Sequence, residues 1–207
     1  MSKIQFDEAR HLYTVGDEIV PSVTFVLRQT GVSPDSRYYS RQARDRGRAV
    51  HEAIRLFDEN RLNFATLDPR IEGWLRAYIE WSSGEGERFT RAKNEVVLWN
   101  ETLRVAGKAD KIAVDKFYGP RAVVEFKSGE PEDWHALQVE AYRVAARKPG
   151  EQMLTAYLVY LRKTGKYSMR AVKPAPGRWA AVVSTFNEAR ARHLKLLQKI
   201  KDEEVEA

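Results

Sequence analysis

Glu125 and Lys127 stand two residues apart in the apolar run Ala122-Val123-Val124-Glu125-Phe126-Lys127. Side chains of an extended chain alternate between faces, so both would project from the same side of a strand. Taking either charge out of water is costly unless it is paired or bound to a metal. A Glu125–Lys127 ion pair at the wet end of the strand meets that demand most simply. The preceding apolar stretch offers more, because Asp110 lies three residues after Gly107 and a short hairpin would set it beside Glu125. Two carboxylates and a lysine, with no thiols, are the hard-oxygen set that holds Mg²⁺ or Mn²⁺ and leaves coordination positions for phosphate and water. Glu95, earlier in the chain, would add a third carboxylate or form an edge salt bridge.

The chain of 207 residues contains no cysteine. Disulfides, thiolate zinc sites, cysteine nucleophiles and cysteine-ligated iron-sulfur clusters are thereby excluded, and any metal must sit on oxygen or imidazole. Lys and Arg total 35 against 29 Asp and Glu, for a net charge of +6. The excess is gathered in one stretch, since Arg143 to Arg178 carries nine basic residues and a single acid, Glu151. Interleaved with Tyr157, Tyr160, Tyr167 and Trp179, this suits either a surface that neutralises phosphates and stacks on bases or a plain solubilising face. No apolar run approaches the roughly 18 residues of a membrane span, and the start MSKIQFDEAR lacks the apolar core of a signal peptide. A cytoplasmic location is therefore expected, with no membrane partner.

The elements that must position these groups follow from periodicity. Residues 3–21 predict a hairpin around Gly16-Asp17, with a helix starting at Ser22. Ala43, Gly47, Val50, Ile54 and Phe57 recur at helical spacing and predict a long helix from about Arg37 to Asn60. A second helix is predicted after Asp68 and Pro69, burying Ile71, Trp74, Leu75, Tyr78 and Ile79. Residues 93–99, 103–115 and 122–127 read as three successive strands. Asp133 is placed to cap a helix running to about Lys148, followed by a strand over 153–162, a turn at Thr164-Gly165, another strand and a last helix from about Asn187. This order predicts an α/β fold with a mixed sheet. The whole is expected as one domain, with a hairpin-and-helix appendage over 1–36, a core over 37–182 and a C-terminal helix over 183–207.

Two helices bring further polar groups to the margins of packed faces. At about 100° per residue, His51 falls roughly 80° from the centre of the apolar stripe of the long helix. Arg37, Arg41, Arg44, Arg48 and Arg55 project on the same side. Such a helix would complete a metal site with His51 and grip phosphates with its arginines, or it would carry Arg41–Asp45 and Arg48–Glu52 pairs beside a partly buried histidine. On the later helix His135, Gln138 and Tyr142 share one flank, where the last two could bond a phosphate, a carboxylate ligand or local backbone.

Arg46-Gly47 followed by His51, Glu95, Gly107-x-x-Asp110, Glu125-Phe126-Lys127 and Gln138-x-x-x-Tyr142 resembles, in order, the PD-(D/E)xK nucleases of the RecB-like branch. The resemblance covers about residues 46–142. It implies a restriction-endonuclease-like αβββαβ core with a mixed central sheet flanked by helices. It casts Asp110, Glu125, the backbone carbonyl of Phe126 and His51 as ligands of Mg²⁺ or Mn²⁺, with Glu95 as a further candidate. Lys127 would orient the attacking water, and Gln138 and Tyr142 would support the site. The implied activity is metal-dependent hydrolysis of DNA with little sequence specificity, at ends or single-stranded tails, as in small phage recombination exonucleases. A host-cytoplasmic setting would then follow, with a homo-oligomer or a recombination protein as partner. The DNA contacts would come from Arg44, Arg48, Arg55, Arg143, Arg162, Lys163 and Lys166. The alternatives are a structure-specific endonuclease and a nucleic-acid-binding protein on a nuclease fold that does not cut.

Overall fold

The computed structural model describes residues 3–190. An antiparallel meander of β1 (Ile4–Asp7), β2 (Leu12–Val15) and β3 (Glu18–Val20) opens the chain. The expected hairpin is β2–β3, turning through Gly16 at φ +60°, and β1 adds a third strand. Ser22 then caps α1 (Val23–Gln29), its Oγ accepting the Phe25 N–H at 3.1 Å. Val23, Phe25, Val26 and Leu27 of α1 are buried in the same core as strands of the main sheet, and Ala106 N–H donates to the Pro21 carbonyl at 2.9 Å.

The long helix, α2 (Arg41–Asp58), begins four residues later than expected because Ser40 is its cap, accepting from Ala43 N–H at 3.1 Å. The residues before it form a 3₁₀ turn at Ser36–Tyr38. Helix α3 (Glu72–Ser82) also starts late. The Asp68 carboxylate closes a turn on the Arg70 N–H at 2.8 Å instead of capping the helix. Trp74, Leu75, Ala77, Tyr78 and Trp81 form its buried face, while Ile79 is only partly buried.

A five-stranded sheet follows, in sequential order β4 (Phe89–Asn100), β5 (Val105–Asp115), β6 (Arg121–Lys127), β7 (Thr155–Leu161) and β8 (Tyr167–Ala171). All neighbours are antiparallel except β6 and β7, which α4 (Trp134–Ala146) joins as a parallel pair. This is the mixed α/β arrangement the pattern predicts. Asp133 occupies the cap position of α4 but makes no capping bond through its side chain. Alternation along β6 sorts the core: Ala122, Val124 and Phe126 pack with α2 and α3, and Val123 packs with α1, α4 and the helix that follows β8. Glu125 and Lys127 thus leave the strand on the α4 side.

The last described helix, α5 (Pro176–Glu188), starts well before Asn187 and straddles the boundary expected at 182/183. Proline suits the first helical turn, and Trp179, Val183 and Phe186 bury one stripe. The remainder of the predicted C-terminal helix lies outside the described residues. No helix among the described residues is long and apolar enough to cross a membrane.

The start of α3 lies directly on the β7–β8 turn, so a Cβ at Gly73 would fall 1.8 Å from the Lys163 carbonyl oxygen. Backbone on both sides cannot yield, and Gly73→Ala is expected to lower stability by about 2–4 kcal/mol. Gly177→Ala meets nothing within 4 Å in the first turn of α5 and is expected to be neutral or stabilising by up to about 1 kcal/mol. Urea midpoints of the two variants check both.

Candidate active site

The site begins where β5 and β6 part. Their ladder pairs Lys111–Val114 with Val124–Arg121 and extends no further toward the β6 C-terminus. Beyond it, side-chain carboxylates take over from backbone carbonyls. Phe126 N–H donates to Asp110 Oδ2 at 2.7 Å, and Asp110 N–H points to Glu125 Oε2 at 3.4 Å. Backbone donors where two interior strands part need acceptors, and here the acceptors are the two acids that the sequence singles out.

Lys127 lies on the same face as Glu125, as strand alternation requires. Its Nζ donates to Glu125 Oε1 at 2.9 Å and to Gln138 Oε1 at 2.7 Å. Gln138 Nε2 in turn donates to the Tyr142 hydroxyl at 3.0 Å. One flank of α4 therefore holds the lysine, with Gln138 bonding it and Tyr142 bonding Gln138. Tyr142 reaches its place because Gly107 has no side chain: a Cβ there would stand 2.6 Å from Tyr142 Cε1. The glycine of the Gly107-x-x-Asp110 motif is thus required by packing.

Helix α2 brings His51 over the fork, with Nδ1 3.2 Å from Asp110 Oδ1. Glu95 comes from β4 at φ +51°, a left-handed conformation uncommon for a glutamate. Both readings of Glu95 coexist: it is ion-paired with Lys108, and ligand atoms of His51, Glu95 and Asp110 all lie within 4.8 Å of one another. These groups open onto a cleft of about 470 Å³, bordered by Arg48 and Arg55 of α2 and by Phe6 and His11 of the meander.

Charge is unbalanced at the fork. Burial, followed by the Asp110 carboxylate, pushes Glu125 up to about 7 despite its contact with Lys127. Burial alone would raise Asp110, but His51 and Lys127 outweigh it and hold Asp110 below its ordinary value. For His51 burial works downward, and the facing Asp110 reverses it to a net rise. Like charges brought together in a buried site repel each other, and a hydrogen bond to either returns only ~1 kcal/mol. A bound cation would relieve that repulsion, and His51, Glu95 and Asp110 are placed to hold a metal ion.

The basic residues divide by burial. Arg143 is 1% exposed, its guanidinium ion-paired with Glu140 and donating to the Val172 carbonyl at 2.9 Å. It cannot contact DNA, and its place in the expected interface is withdrawn. The aromatics interleaved with the basic stretch are likewise core: Tyr157, Tyr160 and Trp179 are buried because β7 is an interior strand and α5 packs on the sheet. Arg48 pairs with Asp45 at 2.5 Å rather than with Glu52, while Arg55 holds Glu52 and Glu59. The Arg41–Asp45 pair is present at 3.7 Å. Arg44 donates to the Tyr39 carbonyl at 2.8 Å, and Arg162 pairs with Glu130 at 2.7 Å. Lys163 and Lys166 are exposed in the β7–β8 turn. Parallel pairing of β6 with β7 puts that turn at the same end of the sheet as Lys127. Arg46, absent from the expected contacts, borders a second hollow next to the site. Only its position beside Gly47 and before His51 marked it in the sequence.

No family model matches the chain, and no curated protein matches it. Solved structures match the chain at low identity. An alkaline exonuclease from Laribacter hongkongensis is 13% identical with a TM-score of 0.46, over 86% of this chain and 92% of that one. A candidate exonuclease from Eubacterium rectale is 12% identical with a TM-score of 0.47, over 84% and 73%. In the order of its motifs and of the elements beneath them, the chain resembles the RecB-like PD-(D/E)xK nucleases.

His135 floors the neighbouring hollow as a neutral imidazole. Its Nδ1 lies 3.3 Å from the Tyr160 hydroxyl, and burial, then Lys127 and Arg170, depress its pKa to about 3. The unfolded chain takes up this proton near pH 6.5, and the folded one refuses it until about 3. Stability should therefore fall as pH falls through that window, by at most about 1.4 kcal/mol per unit from this group. His135→Gln is expected to flatten the difference between urea midpoints at pH 7 and pH 4.5 relative to wild type.

Proposed function

We propose that the chain is a divalent-metal-dependent deoxyribonuclease that hydrolyses phosphodiester bonds with little regard for sequence. The observation that carries this reading is the convergence of His51, Glu95 and Asp110 within coordinating reach, with Glu125 and Lys127 at the same fork. A protein that only bound DNA would gain nothing from buried carboxylates facing a phosphate backbone.

Asp110, Glu125, His51 and the Phe126 carbonyl would hold Mg²⁺ or Mn²⁺, with Glu95 as a further carboxylate. The bound ion would polarise the scissile phosphate and lower the pKa of an attacking water. Lys127 contributes a positive charge and mobile donors where charge builds on the phosphoryl oxygens. Gln138 and Tyr142 hold the lysine in one rotamer, so little reorganisation is needed during the reaction. His51 also orients Asp110 through their 3.2 Å contact. Arg44, Arg48, Arg55, Arg162, Lys163 and Lys166 would meet the backbone of the substrate, contacts without base information. Action at DNA ends rests on the resemblance to phage-type exonucleases.

Linear end-labelled DNA and a covalently closed circle, incubated with Mg²⁺ or Mn²⁺, test the reading. Nucleotide release from the linear molecule alone is expected. Nicking of the circle would make the protein an endonuclease, and metal-independent binding without cleavage would leave it a binder. Asp110→Asn and Glu125→Gln should each lower turnover by at least about 10³-fold. Lys127→Ala should lose most turnover while keeping its affinity for DNA in EDTA and the salt dependence of that affinity, because one lysine is a small share of the phosphate contacts. A parallel loss of affinity would reassign Lys127 to substrate grip.

A further inference from the structure

A second hollow, of about 240 Å³, adjoins the cleft, and His51 and Lys127 border both. Its walls come from the first turns of α2, with Arg44 and Arg46, and from the loop after β6, with Ser128 and Gly129. Two acids also border it, and both are engaged. Glu130 pairs with Arg162 at 2.7 Å. Glu132 accepts from the Tyr39 hydroxyl at 2.8 Å and from Trp134 Nε1 at 2.9 Å.

Arg46 differs from its neighbours on α2. Arg41, Arg48 and Arg55 each face an Asp or Glu, whereas no described carboxylate pairs with Arg46. Its guanidinium lies 5.1 Å from the centre of the Trp74 ring, and its Nε is buried without a hydrogen-bond partner. Arg46 also lines the hollow, so an anion entering it would meet a guanidinium that no described carboxylate neutralises. The indole beneath is itself fixed, since Trp74 Nε1 donates to the Ser128 carbonyl at 3.1 Å. That bond ties the platform of Arg46 to the residue directly after Lys127.

Resting on the nuclease reading, we propose that this hollow is a phosphate subsite, where Arg46 grips a phosphate of the polynucleotide next to the one being cleaved. A strand crossing from the cleft into the hollow passes His51 and Lys127, so a grip at Arg46 sets which linkage lies at the carboxylates. Arg46 is a binding and positioning residue, satisfied only when substrate is present. Arg41, Arg48 and Arg55 must first release acids of their own helix, and Arg46 need not.

Anisotropy of labelled single-stranded oligonucleotides, with a 5′-phosphate or a 5′-hydroxyl, measures the subsite in EDTA across a salt series. Arg46→Gln is expected to weaken binding about tenfold and to reduce the slope of log K against log salt by about 0.7, the share of one phosphate on a single strand. Arg46→Lys should keep the slope. If the subsite takes the terminal phosphate, the wild type prefers the 5′-phosphorylated strand and Arg46→Gln loses that preference. If it takes an internal phosphate, both strands weaken alike. Wild-type affinity and slope in a folded Arg46→Gln would overturn the proposal and leave Arg46 a packing residue on Trp74. Should that variant not fold, wild-type protein with oligonucleotides neutralised by one methylphosphonate at a time reads the same contact. One sensitive position supports the subsite, and a flat profile overturns it. Because no metal is present, these results are separable from a failure of Mg²⁺- or Mn²⁺-dependent cleavage, which would remove the nuclease reading itself.

Discussion

Two carboxylates held where two interior strands part repel each other, and much of the surrounding architecture bears on that repulsion. Past Lys111 and Val124 the β5–β6 ladder stops, and the orphaned backbone donors of Asp110 and Phe126 draw in the Glu125 and Asp110 side chains. Those bonds hold the two acids together, Asp110 kept ionised by His51 and Lys127 while buried Glu125 is pushed up. Lys127 on one side and His51 on the other relieve part of the imbalance, and the raised pKa of Glu125 reflects its burial first and the Asp110 carboxylate second. A cation held by His51, Glu95 and Asp110 would offset the charge that remains. An apolar fork would be more stable and chemically inert.

The scaffold answers with stiffness. The α4 flank bonds Lys127 through Gln138 and Tyr142, and Gly107 lets the tyrosine approach the strand. The opposite face rests on a dense aromatic group, where Phe126 meets Tyr78 at 5.1 Å and Trp81 at 4.9 Å between ring centroids. Buried polar links reinforce it: Lys111 reaches Asp58 at 2.8 Å and the Tyr78 hydroxyl at 3.0 Å, joining the end of α2 to β5 and α3. Helix α2 is thereby anchored near both ends, by Asp58 at one and by the Arg46–Trp74 stack at the other. His51 lies between the anchors.

Much of this was legible in the chain. The alternation that puts Glu125 and Lys127 on one face, the caps at Ser22 and the flank of Gln138 and Tyr142 are local patterns, and local patterns survive folding. Errors gathered where a side chain had a competing partner. Asp68 closed a turn instead of capping α3, and Arg48 chose Asp45 over Glu52. Ser40 displaced the start of α2, and Pro176 together with the Trp179–Val183–Phe186 stripe started α5 early. The basic stretch misled most. Strand β7 is interior and Arg143 meets Glu140 inside the protein, so its charge and its aromatic rings count partly toward the core.

By itself the sequence determined which groups could do chemistry: no thiols, three acids, one imidazole and one lysine, spaced on elements whose periodicity is local. Tertiary structure alone decided that β5 and β6 part at those acids, that Glu95 swings toward His51 from a left-handed backbone, and that Arg46 Nε is buried with no described partner. The reason is physical. Side-chain direction is set within a few residues by φ, ψ and rotamer, whereas where a ladder ends and which charge goes unpaired depend on desolvation and on partners far away in the chain.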